Sequence, residues 1–136
     1  MMKLNKFEVN SYPFNYNGIE KEIIFAFGEY NDTSQLAVVL VDCEEHKALC
    51  EISINIIENG RKKLKSNLAY LDTNSENYCA KQLVELLKNN KIAKPTKKFA
   101  ELEGVKYEVY AFDLNKMWDL RLGKIRVNSY KEINNG

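Results

Sequence analysis

Leu36-Ala37-Val38-Val39-Leu40-Val41 restricts this chain more than any other stretch, because six apolar residues follow one another without a break. A strand points successive side chains to opposite faces, so such a run has no side to offer to solvent. It is too short for a helix and rich in β-branched valine, which makes it a strand covered on both faces. Any fold that holds it must bring apolar material above and below it. The 136 residues, 45% of them hydrophobic, are enough to do so within one domain spanning 1–136, without disulfides or metal.

The flanking segments read mostly as further strands. Asn17-Gly18 sits between Tyr12-Pro13-Phe14-Asn15-Tyr16 and Ile19, a strong hairpin signal. A strand from Glu20 to Phe27 ends in the turn-rich Gly28 to Ser34. Between Ala48 and Ile57, Ala48, Cys50, Ile52, Ile54 and Ile56 alternate with Glu51, Ser53 and Asn55, predicting a half-buried strand whose polar side meets solvent. Leu68 to Leu71 and the alternating Val105 to Phe112 add two more, and Lys124 to Tyr130 reads as a last one. Asn74-Ser75-Glu76 caps a helix over about 75–89, with Ala80, Leu83, Val84 and Leu87 on one stripe. Lys88 and Lys91 suit its negative end, and Pro95 marks the stop. Leu114, Met117 and Trp118 suggest one or two helical turns, and the tail from about 131 is expected to fray.

The resulting expectation is an α+β fold. A curled, mostly antiparallel sheet of about 5–7 strands carries one main helix (about 75–89) on one face. Leu83, Val84 and Leu87 are expected to pack with Val39, Val41, Ile52, Ile54 and Val109.

Chemistry-bearing residues are few. Cys43, His46 (the only histidine) and Cys50 fall within eight residues, but between two expected strands, where Glu44-Glu45-His46-Lys47 supplies a polar turn. Their spacing matches no standard zinc module, and only Cys79 is available as a fourth ligand. A Cys–His catalytic pair needs a third group to orient the base. The segment therefore reads as a hairpin turn. The pairs Glu20/Glu22 and Glu101/Glu103 read as solvated faces rather than a glycosidase couple, and the six glycines form no phosphate-cradling loop. The expectation is a protein that is not an enzyme and has no catalytic residues, metal or cofactor. Three cysteines, the lack of an apolar leader and the lack of an 18-residue apolar run suggest a cytoplasmic protein with no membrane contact.

The net charge of +1 hides a partition. Residues 1–60 balance at −6 and residues 61–136 at +7, which suggests an acidic and a basic face. Arg61, Lys62, Lys63 and Lys65, then Lys94, Lys97 and Lys98, then Arg121, Lys124 and Arg126 are the candidate partner- or nucleic-acid-binding surface. Lys88 and Lys91 lie close to them in sequence, and Tyr70, Phe99 and Tyr107 are candidates for stacking on bases.

The span of about 36–114 resembles a small uncharacterised family encoded on conjugative elements, plasmids and phages of low-GC bacteria. The resemblance rests on the strand pair "LAVVLVD" and "ALCEISINI", on "NLAYLDTNSENYCAKQLVELLKNNKIAKPT", and on "YEVYAFDL". Where that family often has Gly before and after Lys-Pro-Thr, this chain has Ala93 and Lys97. The resemblance carries no catalytic residues. It implies a mobile-element or phage accessory protein that binds a host or element-encoded protein stoichiometrically, for instance an inhibitor of a host defence nuclease of anti-restriction or anti-CRISPR type. The alternative is a nucleic-acid-binding accessory of transfer or replication.

Overall fold

The computed structural model describes residues 9–56, 64–73 and 78–120. Strands β1 (Tyr12–Tyr16) and β2 (Ile19–Glu29) form a hairpin closed by Asn17 and Gly18, at φ of +54° and +87°. Two left-handed residues in succession give the turn whose twist matches an antiparallel pair, and Asn and Gly reach that region at least cost. β3 (Leu36–Asp42) pairs β2, and β4 (Lys47–Glu51) pairs β3, giving the order β1-β2-β3-β4. β9 (Trp118–Asp119) joins β2 in parallel at Ala26↔Trp118.

A second antiparallel sheet runs β5-β6-β8-β7. It holds β5 (Ser53–Ile54), β6 (Leu68–Leu71), β7 (Ala93–Leu102) and β8 (Val105–Phe112), with helix α1 (Tyr78–Asn89) between β6 and β7. The chain crosses between sheets at Ile52, whose N–H donates to Val38 O (2.9 Å) in the first while its carbonyl accepts from Asp72 N (3.3 Å) beside the second. Neither sheet closes. With mostly antiparallel strands and one helix packed on sheet among the described residues, the fold is α+β as expected. The strands divide between two sheets, which the sequence reading placed in one.

That division creates three apolar clusters. The central one holds Phe25, Val38 and Leu40 from the first sheet, Leu71, Tyr110 and Phe112 from the second, and Leu83 and Leu87 from α1. Burying each of those two leucines contributes about 1.5–3 kcal/mol. The far face of the first sheet carries Ile24, Ala37, Val39 and Val41 under Tyr30, Trp118 and Leu120. The far face of the second carries Ile56, Tyr70, Ala100 and Val109. β3 is thus buried on both faces, as its apolar run requires.

The expected helix contacts need correction. Leu83, Leu87 and Ile52 do share a cluster, but Val39 and Val41 face the opposite side of β3, and Val109 and Ile54 belong to the third cluster. Val84 is only half-buried, and Ala80 completes the buried stripe. Gln82 anchors α1 to the β1 edge: its Oε1 accepts from Asn15 N (2.9 Å) and its Nε2 donates to Asn15 O (3.0 Å).

Pro95 is not the device that ends the helix. Ile92 N donates to Leu87 O (2.9 Å) and Lys91 N to Lys88 O (3.1 Å), with Lys91 at φ +56°. These paired bonds, with Ile92 and Leu87 in the same apolar cluster, are the Schellman arrangement. Pro95 lies within β7, an edge strand that tolerates its missing N–H. The expected turn at Leu114 is a 3-10 turn, Leu114–Lys116, whereas Trp118 is extended. The expected strand 124–130 and the tail lie outside the described residues. Among the described residues, no helix is long and apolar enough to cross a membrane.

Candidate functional site

Residues 43–46 are the hairpin turn between β3 and β4, and Cys50 lies on β4. Asp42 organises it: its Oδ1 accepts from Glu44 N (2.8 Å) and Glu45 N (3.2 Å), and its Oδ2 meets Lys21 Nζ at 3.0 Å. Burial works to raise the Asp42 pKa, but the Lys21 bond and the two turn N–H groups outweigh it and hold the carboxyl below its ordinary value. Cys43 packs into the cluster on the far face of the first sheet, while Cys50 packs against the central one. The two thiols therefore point away from each other. Burial, reinforced by Glu22, Asp42 and Glu44, raises the Cys43 pKa to about 11, so it is a thiol rather than a nucleophilic thiolate at neutral pH. Among the described residues, no three His, Cys, Asp or Glu side chains gather as metal ligands.

A buried polar group that the sequence did not reveal lies near the crossover. Glu51 and Ser53 were expected on a solvent side, yet Ser53 is 2% exposed. Ser53 Oγ accepts Val38 N–H (2.8 Å), replacing the ladder partner that β3 loses where the chain leaves for the second sheet. It lies 2.8 Å from Tyr30 Oη, which in turn donates to Glu51 Oε2. Burial raises the Glu51 pKa to about 7. The alternation was legible, but on the polar side Ser53 is buried and Glu51 is only half-exposed, bonded to Tyr30.

Of the candidate basic residues, Lys65, Lys94, Lys97 and Lys98 are described, and all four are exposed. Arg61, Lys62, Lys63, Arg121, Lys124 and Arg126 lie outside the described residues. Lys94, Lys97 and Lys98 stand on β7, the outer strand of the second sheet. The register of β7 on β8 breaks between Pro95 and Phe99, and the intervening residues form a bulge. Thr96 Oγ1 donates to Val109 O (2.8 Å) and accepts from Lys98 N (3.2 Å), while Lys97 N donates to Glu108 Oε2 (2.9 Å). Lys97 takes φ +68°, the left-handed region that favours Gly.

Directly after the bulge, Phe99 is 56% exposed, with Leu102 at 37%. Of the three aromatic residues expected to be available for stacking, only Phe99 is open; Tyr70 is buried and Tyr107 half-buried against the third cluster. β1 to β4, from the acidic part of the chain, lie in the first sheet with β9, and the lysine-bearing β7 borders the second. Comparisons of the chain with protein-family models, curated proteins and solved structures give no match.

Proposed function

We propose that this chain is a non-catalytic accessory protein of a mobile element or phage that binds a protein partner stoichiometrically through β7, the partner being of the class of host defence nucleases. The observation that carries the reading is Phe99, an exposed aromatic that directly follows the exposed Lys97 and Lys98 on an open sheet edge. An apolar anchor within a charged rim is the usual anatomy of a protein interface, and aromatic anchors supply much of the binding energy. The resemblance of the 36–114 span to element-borne proteins supports the biological setting. The lysines favour an acidic partner surface, which they steer toward the anchor.

Phe99 among lysines also supports the alternative, a nucleic-acid-binding accessory in which the ring stacks on a base. The two readings separate on salt. Affinity capture from host-cell extract with wild type and Phe99→Asp, alongside titrations of duplex and single-stranded DNA at two salt concentrations, decides between them. A retained protein, lost with Phe99→Asp and kept at the higher salt, is the expected result. Nucleic-acid binding that collapses at the higher salt, with no protein retained, refutes the protein-binding reading, because each neutralised phosphate releases counterions.

A further inference from the structure

At the end of the second sheet where β6, β7 and β8 meet the C-terminus of α1, the surface sinks into a cleft of about 610 Å³. This is within the usual range for small-molecule sites. Lys88 comes from the last turn of α1, Lys91 from the Schellman turn and Lys94 from the second residue of β7, and all three line it. Pro95, Ala111 and Phe112 give it an apolar floor. Two features that oppose an anion are engaged in local hydrogen bonds, although the carboxylate keeps its charge. The one carboxylate of the lining, Asp113, accepts Asn115 N–H (3.1 Å) as the cap of the 3-10 turn. The carbonyls at the negative end of α1 are also covered: Lys116 Nζ donates to Asn90 O (3.1 Å) and Lys91 O (3.2 Å), and Asn90 Nδ2 to Leu86 O (2.9 Å).

Lys91 is the informative residue. It occupies the left-handed position of the helix end, where Gly is the unstrained choice. Its side chain lines the cleft, so the helix end presents a cation there where Gly would present none. Three lysines lining a cleft together with Pro95, Ala111 and Phe112 suit a ligand with a phosphate at one end and a flat apolar body at the other.

We propose that this cleft binds a nucleoside phosphate, its base on Pro95 and Ala111 and its phosphate among Lys88, Lys91 and Lys94. The site is separate from the Phe99 surface, and the proposal does not rest on the protein-binding reading. Lys91→Gly distinguishes it from a merely structural role, since that change relieves backbone strain while removing a charge. Thermal melting and calorimetric titration with adenosine 5′-monophosphate, adenosine and inorganic phosphate form the test. The nucleotide is expected to raise the Tm of wild type and Phe99→Asp alike and to bind more tightly than adenosine or phosphate. Lys91→Gly is expected to melt higher than wild type without ligand, yet to bind the nucleotide about tenfold more weakly or worse, the loss of one charged contact. Lys94→Ala should weaken it likewise. No response to the nucleotide in the millimolar range, an unchanged affinity in Lys91→Gly, or binding of a single-stranded oligomer without any of the mononucleotide would overturn the proposal.

Discussion

Replacing Glu51 by Gln should make the protein more stable at pH 8 and remove a pH dependence that the wild type carries. Burial raises the Glu51 carboxyl from its ordinary 4.5 to about 7. Between those values the folded state holds a proton that the unfolded chain has released, so stability falls as pH rises across the window. The contribution is fully present below about 4.5 and lost once pH passes about 7. At about 1.4 kcal/mol per pH unit the separation has a ceiling of about 3 kcal/mol. The side chain keeps part of its solvent contact, which brings the expected effect to about 1–2 kcal/mol. Gln keeps the shape and an acceptor for the Tyr30 hydroxyl but has no charge to desolvate. Urea unfolding of wild type and Glu51→Gln at pH 5, 6, 7 and 8 provides the readout, with the difference between the two curves cancelling all other titrations. Wild type should lose about 1–2 kcal/mol relative to the variant between pH 5 and 8. Parallel profiles would show that Glu51 is hydrated and that the cluster with Tyr30 and Ser53 does not hold it.

Leu83→Ala should cost about 2–5 kcal/mol, because Leu83 fills the central cluster between α1 and both sheets; a change below 1 kcal/mol in denaturant melts would mean that α1 presents another face. Ser53→Ala strands the buried Val38 N–H and removes one partner of Tyr30, so a loss of about 1–3 kcal/mol is expected. Full stability in that variant, measured by the same melts, would place water or another acceptor at Val38.

Local elements were legible because their causes are local. The Asn17-Gly18 hairpin follows from two residues that tolerate positive φ, the helix from its apolar stripe, and the Asp42–Lys47 turn from a polar run between apolar strands. β7 was not legible. Lys94-Pro95-Thr96-Lys97-Lys98 has no alternation, and Pro argues against a strand; it becomes one only because β8 offers a ladder at an edge, with a bulge absorbing the misfit. Its turn, Glu103-Gly104 at φ +53° and +83°, repeats the hairpin geometry of Asn17-Gly18 with a residue that gave weaker warning. In the candidate site, the lysines and Phe99 were named from sequence, whereas the burial of Tyr70, the exposure of Phe99 and the convergence of Lys88, Lys91 and Lys94 on one cleft depend on contacts distant in sequence.

The same limit governs the core. Periodicity along β3 and β4 determined which residues share a face: Val39 with Val41, Glu51 with Ser53. Only the tertiary structure decided what covers each face, sending Val39 away from the helix and Ser53 inward, because a side chain's direction is a property of its own backbone and its burial is a property of whatever packs above it.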